Sequence, residues 1–108
     1  MNQVTYEERK LTYLAAVHMW GVEAQTKMAI EEMSELIKEI CKIGRGKSDM
    51  EAFADEIADV TIMLEQLRLI YDLNDAVCEH MDMKVRRLRS RLGMEPLGGG
   101  ADAAPSDQ

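Results

Sequence analysis

The 108-residue chain carries a formal net charge of −7, and it is 46% apolar but only 5% aromatic. That acidic balance excludes a basic face for duplex nucleic acid, and the scarcity of aromatic residues argues against a sheet-rich core. A single domain of this length hides only about two-thirds of its unfolded surface, so burying helix faces against a second copy is an available way to enlarge the core.

Four helical segments follow in order. Thr5 and Glu8 form a capping box and Gly21 is a stop, which together bound a helix from about Thr5 to Trp20. A second helix runs from about Val22 to Ile43 and ends at Gly44. After the loop Gly44-Arg45-Gly46-Lys47, Ser48 with Glu51 reads as a second capping box, opening a helix that continues to Tyr71. Asp72 to Asp75 is rich in turn and cap residues, and a last helix spans about Asp75 to Leu92. From Gly93 onward the glycines and small polar residues show no period, which predicts a disordered tail over 93–108 behind an all-α domain over 1–92.

In the third helix Phe53, Ile57, Val60, Leu64, Leu67 and Tyr71 recur at helical spacing and predict a core stripe. Ala29, Met33, Leu36, Ile40 and Ile43 repeat the pattern in the second helix. Ile30, Ile37, Cys41, Ile62 and Leu69 lie off these stripes and imply a second buried surface. The expected architecture is a four-helix-bundle-like protomer assembled into a homo-oligomer, a dimer or a tetramer.

Each central helix also carries an acidic i, i+3 pair on the same flank of its stripe: Glu32 and Glu35 on one, Glu56 and Asp59 on the other. When the helices pack, the pairs can converge at the core edge, whereas Glu31 and Asp55 point outward. Converging carboxylates repel one another and lose solvation unless cations compensate. All-oxygen donors without His or Cys suit Mg²⁺ or Mn²⁺. On spacing alone, a solvated acidic surface and a metal site stand as alternatives.

Glu31-Glu32-x-x-Glu35-Leu36, followed after twenty residues by Glu56-Ile57-Ala58-Asp59-Val60, resembles the signature of the MazG-like all-α nucleotide pyrophosphohydrolases. The likeness extends from about Trp20 to Leu92 and takes in Gln25, the basic loop Arg45–Lys47, and Lys84-Val85-Arg86-Arg87-Leu88. It implies a homo-oligomer in which Glu32, Glu35, Glu56 and Asp59 are the catalytic and metal residues, with Mg²⁺ as cofactor and Mn²⁺ able to substitute. A water activated by the metals would cut a nucleoside triphosphate at its α–β linkage, giving the monophosphate and pyrophosphate. Family habit leans toward purine deoxynucleotides. Lys84 and Arg87 match positions expected to contact phosphates, although a basic last turn also complements the helix dipole. Gln25, Met28 and Trp20 could line a nucleobase pocket, with core packing the alternative for Trp20. Glu39 continues the same flank and could extend the site.

The remaining motifs point away from other chemistries. Gly46-Lys47-Ser48 lacks the first glycine and the preceding strand of a P-loop. His18 and His80 have Ala15 and Val77 three residues before them, where a di-iron protein would carry glutamates. Lys38 is expected to be solvated, away from the flank of Glu35. Cys41 and Cys78 read as reduced thiols in a cytosolic interior. No leader is evident and no apolar run approaches membrane-spanning length, so a soluble cytoplasmic protein is expected. The competing function is a non-catalytic dimerisation or adaptor module with a solvated acidic face.

Overall fold

The computed structural model describes residues 2–47 and 49–98 and is all-α, with four helices and no strand among the described residues. The helices are α1 (Tyr6–Trp20), α2 (Val22–Gly44), α3 (Met50–Ile70) and α4 (Asn74–Arg91). The chain divides into two compact units, one ending at Asp72 and the other beginning at Leu73.

Local chemistry sets the helix ends. Thr5 Oγ1 accepts from the backbone N–H of Glu8 at 3.1 Å, and Glu8 Oε1 accepts from the backbone N–H of Thr5 at 2.9 Å. This capping box is the one expected from sequence. Gly21 alone separates α1 from α2; its φ of 93° is open to glycine and strained for other residues, which is why so abrupt a break falls there. At the start of α3 the cap is Asp49, one residue later than expected: its Oδ1 accepts from the backbone N–H groups of Glu51 and Ala52. The Ser48 side of the expected box lies outside the described residues. Asp72 ends the first unit in the left-handed region, φ 53°, which a short polar side chain tolerates.

In the first unit α2 and α3 form an antiparallel hairpin joined by a short loop, and α1 packs on both. A bidentate pair ties α1 to α3: Arg9 Nε and Nη2 donate to Glu65 Oε1 and Oε2 at 2.9 and 3.1 Å. The hydroxyl of buried Tyr13 donates to the same carboxylate.

The central helices are rotated away from the stripes that hydropathy alone predicts. The buried positions of α3 are Val60, Met63 and Gln66, with Glu56 and Asp59 half-buried beside them; Ile57, Leu64 and Tyr71 of the expected stripe are exposed. On α2 the buried positions are Gln25, Ala29 and Glu39, with Glu32, Met33 and Leu36 half-buried and Ile40 exposed. Relative to hydropathy, α3 turns by on the order of 60° toward its acidic flank and α2 by a smaller angle. Both helices are apolar over more than one face. The hydrophobic pattern therefore leaves the rotation undetermined. The apolar shoulders left outside include Ile30, Ile37 and Ile40 on α2 and Ile57, Ile62 and Leu64 on α3.

In the second unit, α4 is followed by a segment that folds back on its last turns. The backbone N–H of Met94 donates to the Arg89 carbonyl at 2.9 Å, Arg89 Nη2 donates to the Glu95 carbonyl at 2.7 Å, and Arg86 Nη1 donates to the Leu97 carbonyl at 3.0 Å. Residues 93–98 of the expected tail are thus tied to the helix, and 99–108 lie outside the described residues. None of the described helices is long and apolar enough to cross a membrane.

Candidate functional site

The rotation of α2 and α3 sets the acidic flanks against each other. Glu32 comes from the middle of α2, and Glu56 and Asp59 come from successive turns of α3. Each offers a carboxylate oxygen, and the three oxygens lie within 4.8 Å of one another. All three residues are half-buried. Glu56 Oε1 is shut off from solvent and has no hydrogen-bond partner among the described residues, so one acceptor in the group is left unsatisfied by them.

The electrostatics follow from this crowding. Desolvation, followed by the charges of Asp59 and Glu56, pushes the Glu32 carboxyl above the ordinary range, and a hydrogen bond with Asp59 adds to the shift. Glu56 is raised in the same way, first by desolvation and then by Asp59, Glu35, Asp55 and Glu39. Carboxylates arranged like this hold protons more tightly than usual until positive charge arrives.

The other residues named from sequence are distributed as follows. Glu35 is exposed and stands outside the close group; its Oε1 lies 3.8 Å from Lys38 Nζ. Lys38 therefore reaches the Glu35 flank, contrary to the expectation from helical phase, because its long stem spans the i, i+3 offset. Glu39 is only 9% exposed and pairs with Lys42 at 3.1 Å. Gln25 is buried, whereas Met28 and Trp20 are exposed, so these three do not share one enclosed environment in the protomer. Lys84 is exposed and Arg87 half-buried on α4, in the second unit, and Arg87 Nε is shielded from solvent with no hydrogen-bond partner among the described residues. Glu31, His18 and His80 are exposed. Cys41 and Cys78 are exposed, not interior. A cavity of about 280 Å³ in the second unit is lined by residues that include Arg86, Arg89, Met94 and Leu97, and neither Lys84 nor Arg87 lines it.

Two features escaped the sequence reading. Gln66 is a buried amide, 6% exposed, with its Oε1 unpartnered. Its signal was its place seven residues after Asp59, on the acidic flank rather than the apolar stripe. The Arg9–Glu65–Tyr13 clasp had no local signal, since Glu65 lies more than fifty residues from both Arg9 and Tyr13.

Comparison with protein-family models, curated proteins and solved structures finds no match for this chain.

Proposed function

We propose that the protein is a Mg²⁺-dependent nucleoside triphosphate pyrophosphohydrolase that converts an NTP or dNTP, with a lean toward purine deoxynucleotides, to the monophosphate and pyrophosphate. The observation that carries this reading is the convergence of Glu32, Glu56 and Asp59 from two helices at a half-buried interface. The resemblance of their spacing to the MazG-like signature supplies the reaction.

The donor set fits a hard cation. It is all oxygen, it includes an acceptor left without a partner at Glu56 Oε1, and no His or Cys stands among its members. Glu32, Glu56 and Asp59 would hold the ion, for which Mn²⁺ could replace Mg²⁺, and Glu35 would join them by leaving Lys38. When bound, divalent ions supply the positive charge that reconciles carboxylates with phosphates and make a water nucleophilic at neutral pH. The protein's own share is to orient the carboxylates through a rigid helix pair and to shield one side of the group from bulk water. The resemblance assigns phosphate contacts to Lys84 and Arg87, in the second unit, and the nucleoside to Gln25, Met28 and Trp20, which share no enclosed pocket within the protomer.

The exposed apolar shoulders of α2 and α3 support a homo-oligomer, in which they would be covered. They also favour the competing reading of a dimerisation or adaptor module. A panel of eight NTPs and dNTPs with Mg²⁺, scored for pyrophosphate rather than phosphate, separates the two. Pyrophosphate release that disappears in Glu56→Gln supports the enzyme; no release from any nucleotide leaves the module.

A further inference from the structure

The ion pairs of α2 extend this reading to the polyphosphate. Lys38 and Lys42 stand one turn apart, each held by an acid three residues earlier, Glu35 at 3.8 Å and Glu39 at 3.1 Å. The two pairs differ in setting. Lys38 and Glu35 are both exposed, an arrangement that contributes little. Glu39 is nearly buried, while the Lys42 side chain keeps 43% of its surface in solvent.

A carboxylate as buried as Glu39 needs a counter-charge, and Lys42 provides it from a long, flexible stem. Glu39 stands seven residues beyond Glu32, on the same flank of α2 and two turns nearer the loop, so its ion pair sets Lys42 on the loop side of the carboxylate group. Beyond Lys42, the end of α2 and the loop carry Arg45 and Lys47 with no acid before Asp49. At the other end of α2, Lys27 sits on the solvated pair it makes with Glu23. The positive charge next to the carboxylates thus lies on the loop side.

We infer that Lys42, with Lys38 beside it, binds the terminal phosphates of the substrate, so that the polyphosphate runs along α2 from the Glu32–Glu56–Asp59 group toward the α2–α3 loop. The inference rests on the pyrophosphohydrolase reading. Lys42 stays tethered to Glu39 yet keeps 43% of its side-chain surface in solvent, so the two remaining donors of its ammonium are open to a phosphate oxygen.

The test uses the full chain and two binding measurements, Mn²⁺ alone by electron paramagnetic resonance and inorganic pyrophosphate by calorimetry on the Mn²⁺-loaded protein. Lys42→Gln and Lys42→Met are each expected to weaken pyrophosphate binding by about tenfold, the loss of one charge-assisted hydrogen bond. Mn²⁺ binding should be unchanged or tighter in both. Lys42→Arg should stay within about threefold of wild type, and Lys27→Gln should have no effect. Unchanged pyrophosphate affinity in either neutral variant, with Mn²⁺ binding intact, overturns this inference alone. Failure of the wild-type protein to bind Mn²⁺ overturns it together with the reading it rests on.

Discussion

Glu32 on α2 and Asp59 on α3 present carboxylate oxygens to each other within 4.8 Å across the hairpin, with Glu56 completing the group. Crowding raises Glu32 and Glu56 above the ordinary carboxylate range. The folded state therefore retains protons that the unfolded chain has released. Stability falls as pH rises from the ordinary carboxylate value through the raised ones, and it stays reduced at neutral pH. In EDTA, thermal melts between about pH 4 and 8 should show this decline, and Glu32→Gln or Glu56→Gln should flatten it and melt higher at pH 7. Mg²⁺ at ten times its dissociation constant should restore about 1.4 kcal/mol to the wild type, a rise in Tm of roughly 5–10 °C.

The unequal settings of the acids predict unequal effects on turnover. Glu56 and Glu32 belong to the close group, whereas Glu35 stands exposed with Lys38. Glu56→Gln should lower pyrophosphate release by at least a factor of about 10³, as loss of a principal electrostatic stabiliser does. Glu35→Gln should lower it less, by on the order of 10–100-fold, because Glu35 joins the ion only by leaving Lys38. Both variants should keep the helical circular-dichroism spectrum. Equal losses would make Glu35 a full member of the group.

The clasp between α1 and α3 gives pH effects of the opposite sense. The Arg9 hydrogen bonds, and then the Tyr13 hydroxyl, hold the Glu65 carboxyl below its ordinary range against the opposing effect of desolvation. Its stabilisation is present above the unfolded carboxylate pKa and is lost as pH falls through the lower folded value. Tyr13 is pushed up to about 12, first by burial and then by Glu65, so its contribution is complete below pH 10 and is lost as pH rises from 10 through about 12. Tyr13→Phe should cost about 1 kcal/mol in urea unfolding at pH 7, and the variant should no longer show the alkaline loss above pH 10.

The apolar shoulders are large enough to predict association. Ile30 and Ile37 lie seven residues apart on one exposed face of α2. Sedimentation equilibrium should give at least twice the protomer mass, and Ile37→Glu should shift it toward the monomer. A wild-type protein that sediments as a monomer at high concentration would remove the oligomer.

What the sequence made legible was local or periodic. The Thr5–Glu8 box and the Gly21 break were readable because cap chemistry acts within one turn and an abrupt break requires a residue that tolerates positive φ. The convergence of the acidic flanks was readable in part: Glu32, Glu56 and Asp59 hold matched phase on their helices and meet, whereas Glu35, expected with them, stands exposed outside the group. Helix rotation was not readable. With apolar residues on several sides of α2 and α3, hydropathy placed Ile40, Leu64 and Tyr71 inside, and the structure exposes all three. That same rotation buries Glu39 and Gln66, which periodicity assigned to the flank or passed over. Phase alone also sent Lys38 away from Glu35, because an angle on a helical wheel ignores the reach of a lysine stem.

Crystals soaked in Mn²⁺ and measured for anomalous scattering bear most directly on whether the three carboxylates share a cation. The expected result is a peak between α2 and α3 with oxygens of Glu32, Glu56 and Asp59 at about 2.1 Å. Manganese bound elsewhere, or absent from that interface at saturating concentration, would contradict the account.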